Sequence, residues 1–194
     1  DPRAIEAIAD KLLKADHPML LPEYAGRRPG GFENIVELAE LTGAAVWDIN
    51  NALNFPNKHP LCLSMDKESL GHTDLIVGLD VKDWEKQLTE LNNAKRIRET
   101  IPPPDCDYVE IGFAEVGISK WAMDYCRMQP CSVRALGDTE IGIPELVRIC
   151  KDRISKDGET LNDAKALCRE LGKRPPVATR LIIDAVDDGV QAPI

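Results

Sequence analysis

Between Glu23 and Gly31 the chain sets two arginines among three glycines: Gly26, Arg27, Arg28, Gly30 and Gly31. Glycine lets backbone N–H groups approach a ligand closely, and a guanidinium fork matches the oxygens of a phosphate. A turn of this kind, directly after an apolar run, can hold a phosphate; it can equally be a solvated turn. Asp48 and Asp80 each close or follow an apolar run and so stand where the carboxyl ends of strands would lie. An acid there can meet a ribose hydroxyl, as in dinucleotide folds, or cap the helix that follows; capping is the favoured reading.

The three histidines, His17, His59 and His72, have no partner at metal-ligand spacing and read as structural or surface groups. The six cysteines, Cys62, Cys106, Cys126, Cys131, Cys150 and Cys168, contain no pair spaced as a zinc knuckle or redox motif. They read as small buried hydrophobes in a reducing, cytoplasmic setting.

Apolar spacing defines the elements that must position these groups. Ile5, Ile8, Ala9, Leu12 and Leu13 recur at helical intervals behind an Asp1-Pro2 start. The run 18–22 is too short for a core helix and suits a buried strand. A helix over 31–42 ends at Gly43, and 44–49 is a second strand. Further strands are expected at 74–79, 108–113 and 131–136, with helices near Trp84–Leu91, Ile143–Ile154 and 161–171. Residues 93–107, with Pro102, Pro103 and Pro104, read as an exposed loop. The alternation of helix and strand predicts an α/β fold: a three-layer, Rossmann-like domain with a parallel sheet of about five or six strands. It covers residues 1–172, and 173–194 is a linker or C-terminal helix leading to a further domain.

With 33 carboxylates against 24 Lys and Arg, the net charge is -9, which disfavours nucleic acid as a partner. No apolar run is long enough to span a bilayer. A start at Asp1 without Met suggests a piece of a longer chain.

Four segments in order carry a resemblance. They are Asp16-His17-Pro18-Met19-Leu20-Leu21-Pro22-Glu23-Tyr24-Ala25-Gly26, then Leu38-Ala39-Glu40-Leu41-Thr42-Gly43-Ala44-Ala45-Val46. Next come Phe55-Pro56-Asn57-Lys58-His59-Pro60-Leu61 and Thr73-Asp74-Leu75-Ile76-Val77-Gly78-Leu79-Asp80. Their order and spacing over residues 1–82 resemble the central domain of thiamine-diphosphate-dependent enzymes of the acetolactate synthase type. From 83 to 156 only the order of strands and helices matches. Three positions depart from the family: Glu23, the segment Ser64-Met65-Asp66-Lys67, and Asp80 stand where flavin-carrying members have glycines.

The resemblance implies a non-catalytic central domain that joins two thiamine-binding domains in a carbon–carbon lyase or transferase acting on a 2-keto acid or acyl substrate. Thiamine diphosphate and Mg2+ would belong to the parent, which carries the activating glutamate and the "GDG…N" motif in its other domains. No cofactor is expected in this fragment, and flavin is unlikely given the three departures. The implied partners are the other domains of the parent and, in the parent, a second or further copies as dimer or tetramer. Two rivals use related folds. One is a stand-alone ADP- or NAD-binding protein, with Gly26, Arg27, Arg28, Gly30, Gly31, Asp48 and Asp80 around the nucleotide. The other is an NAD-dependent deacetylase-like enzyme, which needs a histidine beside an Asn-Asp pair; Asn50-Asn51 is a poor substitute.

Overall fold

The computed structural model describes residues 1–49, 53–64, 66–113 and 129–157. The expected helix at 161–171, the linker and tail over 173–194, and Asn50, Asn51, Met65, Cys126 and Cys168 lie outside these residues.

Helix α1, Pro2–Lys14, starts under an Asp1 cap that accepts the Arg3 N–H at 3.0 Å, and buries Ile5, Ile8, Ala9 and Leu12. Strand β1, Pro18–Pro22, is buried along its whole length and pairs on both sides, in parallel. A central strand tolerates proline only where no ladder donor is needed, and both prolines stand at its ends. Helix α2 is Gly31–Thr42 and strand β2 is Ala45–Val46. β2 is shorter than the expected 44–49, and residues 61–63 lie along its outer edge: the Val46 N–H donates to the Leu61 carbonyl at 2.8 Å, and the Leu63 N–H donates to the Val46 carbonyl at 3.0 Å. A short α3, Lys67–Leu70, leads to β3, Leu75–Leu79.

Helix α4, Trp84–Leu88, is one turn long. The expected helical face through Leu91 does not continue, since Leu91 is half exposed. The chain instead turns into an antiparallel hairpin, β4 at Thr89–Asn92 and β5 at Ile97–Thr100, paired Thr89 to Thr100 and Asn92 to Ile97. This corrects part of the expected 93–107 loop. β6 is Asp107–Ile111, β7 is Val133–Ala135 and α5 is Thr139–Asp157.

Five strands form one parallel sheet in the order β2-β1-β3-β6-β7. Leu20, Val46, Val77, Leu79, Val109, Ile111 and Ala135 face α1, α2 and α5 in one core. Met19, Leu21 and Ile76 point the other way and pack with Trp47, Leu70, Val81, Trp84 and Leu88. Side chains alternate between faces at period two, so both faces of one strand are apolar only when both are covered. Gly78 lies under Trp84: a Cβ there would come within 2.3 Å of the indole Cζ2.

After β1 the chain moves outward to β2, then returns to the opposite side of β1 for β3. That reversal opens a crevice at the carboxyl ends of β1 and β3, where open α/β sheets take their ligands.

Candidate functional site

The crevice is built from three turns. The first follows β1. Glu23 is buried at 6% exposure, and its carboxylate Oε2 accepts the backbone N–H of Lys82 at 2.5 Å and of Asp83 at 3.1 Å. Those two residues belong to the turn between β3 and α4. The side chain at the glycine-departure position therefore points into the crevice and ties the β1 and β3 ends together.

The predicted anion turn lies directly after it, as a single 3-10 turn over Ala25–Arg27. The Gly26 N–H donates to Asn54 Oδ1 at 2.9 Å, and a Cβ on Gly26 would lie 2.5 Å from the Asn54 Cα. The N–H groups of Arg27 and Arg28 donate to Tyr24 O and Ala25 O, each at 3.3 Å, and that of Gly31 to Arg28 O at 2.9 Å. The Arg27 guanidinium stacks on the Tyr24 ring, 4.2 Å from its centroid. Arg28 pairs with Asp138, before α5, at 3.5 Å. Gly30 is left-handed at φ 70° and precedes the first residue of α2, Gly31. The five residues thus share one turn, and four of their N–H groups bond within the protein.

Asp48 and Asp80 do not cap the helices that follow; Asp66 and Asp83 do that for α3 and α4. Asp48 instead receives three donors: the Asn54 side-chain amide at 2.9 Å, the Asn54 N–H at 2.9 Å and the Phe55 N–H at 3.2 Å. Burial pushes its carboxyl above the ordinary value, and these hydrogen bonds pull it only part of the way back. Its own N–H donates to Ser64 Oγ at 2.8 Å. Asp80 is left-handed, at φ 59°, and accepts the Phe113 N–H at 3.2 Å. The position keeps the backbone that glycine favours while carrying a side chain, which spends its carboxylate on the end of β6.

Asn54, which sequence reasoning did not single out, joins these parts. It is fully buried and also donates from Nδ2 to the Glu23 carbonyl at 3.2 Å. Nothing local marks it as a link to the first turn, because Gly26 and Glu23 lie 28 and 31 residues away in the chain. Sequence reasoning did not single out Glu110 either, buried on β6 and paired with Arg134 of the neighbouring β7 at 2.9 Å.

Two of the histidines have their rings held by neighbouring groups. His59 accepts the Leu61 N–H through Nδ1 at 3.2 Å, meets Glu40 through Nε2 at 3.2 Å and lies edge-on to Phe55. His72 Nδ1 bonds to the Glu68 carbonyl at 2.7 Å. Cys106 and Cys150 are buried free thiols pushed up to about 12, chiefly by desolvation, which makes them poor nucleophiles. Among the described residues no group of three His, Cys, Asp or Glu could hold a metal, and no helix is long and apolar enough to cross a membrane. A cleft of about 250 Å³ lies apart from the crevice, lined by Trp84, Arg98, Tyr108 and Gln129 among others; none of the predicted site residues lines it.

Two solved structures are similar to this chain in fold. One is assigned as a thiamin diphosphate-dependent enzyme from Mycobacterium smegmatis: TM-score 0.53, 21% identity, 77% of this chain covered. This is a fold that such enzymes carry. The other, benzoylformate decarboxylase from Polynucleobacter necessarius, gives TM-score 0.53 at 16% identity over 77% of this chain. The match spans only 28% and 27% of the length of those two proteins. No known family model and no curated protein sequence matches the chain.

Proposed function

We propose that this chain is a non-catalytic domain of a thiamine-diphosphate-dependent enzyme, set between the two domains that bind the cofactor. The observation that carries this reading is the fold match: most of this chain corresponds to about a quarter of a much longer enzyme. The parent reaction is the making or breaking of a carbon–carbon bond at a 2-keto acid or acyl substrate. Thiamine diphosphate supplies the carbanion chemistry when it is bound. Both it and Mg2+ are held by the parent's other domains, in a cytoplasmic, oligomeric enzyme. The described residues of this chain hold the β1, β2 and β3 turns in fixed relation, which suits a scaffold that positions neighbours.

The 194-residue chain should show no pyruvate decarboxylation with thiamine diphosphate and Mg2+ added, and no heat on titration with thiamine diphosphate. Micromolar binding would defeat the scaffold reading. It should also purify colourless, because Glu23, Ser64 and Asp80 all have their side chains engaged at the crevice and its flanking loops. An oxidised-flavin absorbance band would contradict that. A stand-alone nucleotide-binding role is less favoured, since the N–H groups of Gly26, Arg27, Arg28 and Gly31 are bonded within the protein.

A further inference from the structure

The position where an open parallel sheet takes its ligand is filled by a side chain of the protein itself. Glu23 Oε2 accepts two consecutive backbone N–H groups, from Lys82 and Asp83, at the topological switch between β1 and β3. The carboxylate is buried, and the main chain beneath it is pinned by Asn54 Nδ2 on the Glu23 carbonyl. Buried carboxylates persist where donors satisfy them, so the crevice is built to accept an anion.

We propose that this crevice is an anion site whose resident anion is Glu23, and that this carboxylate is what keeps phosphate-bearing ligands out. An entering phosphate needs the same two N–H groups and brings like charge to the carboxylate. The Arg27 and Arg28 guanidiniums stand in the adjoining turn, so removal of Glu23 leaves donors and positive charge together. The inference stands on the geometry of this chain and does not depend on the thiamine-enzyme reading.

The test is a set of thermal melts of wild type, Glu23→Ala and Glu23→Gln in formate, in inorganic phosphate, and in chloride at equal ionic strength. Glu23→Ala empties the site, whereas Glu23→Gln keeps it filled with a neutral acceptor. Formate and phosphate should each raise the midpoint of Glu23→Ala over its chloride control. The rise should be on the order of 3 °C when the anion is several-fold above its dissociation constant. Wild type and Glu23→Gln should not move. Equal shifts in wild type, or none in Glu23→Ala, would overturn the proposal. Rescue by formate alone would overturn the exclusion of phosphate. If Glu23→Ala does not fold in chloride, the refolding yield in each anion becomes the readout. Recovery in formate and phosphate is then expected, and no recovery in either overturns the idea.

Discussion

Replacing Asn54 with alanine tests the claim that one buried amide holds the turns together. Its side chain bonds to the Gly26 N–H at 2.9 Å, the Glu23 carbonyl at 3.2 Å and Asp48 Oδ1 at 2.9 Å. A neutral buried bond contributes about 1 kcal/mol net and one to a carboxylate about 1.5–3 kcal/mol. Alanine also strands a half-buried N–H and a buried carbonyl, so the expected loss is about 3–5 kcal/mol. For a chain of this size that lowers the midpoint of thermal unfolding by roughly 10 °C. Urea and thermal melts of the variant against wild type measure it. Asn54→Asp keeps the shape and sets a second carboxylate beside Asp48. It should be less stable than Asn54→Ala at neutral pH and recover as the pH falls, when the pair can share a proton. A loss below about 1 kcal/mol for Asn54→Ala, or an Asn54→Asp variant indifferent to pH, would refute the reasoning.

Gly78→Ala drives a methyl group to 2.3 Å from the Trp84 ring and 3.1 Å from Val81 Cγ2. It should cost about 1–3 kcal/mol, or more if α4 is displaced, read by denaturant unfolding and by Trp84 fluorescence. Burial pushes Asp107 up, but hydrogen bonds from Lys11 and Ser132 and from the Tyr108 N–H outweigh it and hold the carboxyl below its ordinary value. The unfolded chain therefore binds the proton more readily, and the stability from Asp107 is present above its unfolded pKa and lost as pH falls through the folded one. Lys11→Met should raise the Asp107 pKa in a carboxyl NMR titration, lower stability at neutral pH and flatten its loss on acidification; an unmoved pKa would count against the ion pair. Asp48 has the opposite sign, because its folded pKa is raised. What it contributes is present below its unfolded pKa and lost as pH rises through the folded one, so Asp48→Asn should flatten that part of the stability–pH profile.

The strands buried on both faces were legible because continuous apolar runs such as Met19-Leu20-Leu21 and Leu75-Ile76-Val77 have no other comfortable fate in water. The hairpin was not. Its strands are mostly exposed, so Thr89-Glu90-Leu91-Asn92 offers no buried face to betray its period. The glycine turn was legible as a place of close approach, but not what approaches it. Gly26 meets Asn54, 28 residues on, and Glu23 meets Lys82, 59 residues on. Such pairings depend on strand order, which single-residue chemistry does not encode. The aspartates at the strand ends were expected to cap the helices that follow; instead they accept backbone N–H groups of Asn54, Phe55 and Phe113.

The cover over β2 matters to how the domain behaves in a crowd. A bare edge strand offers its backbone to any passing chain and is a usual starting point for aggregation. Here Val46 has already given its N–H to Leu61 and its carbonyl to Leu63. Another molecule arriving at this side of the sheet finds those groups taken. Copies held at high local concentration, as in a multi-chain assembly, can therefore lie side by side without growing into one another along that margin.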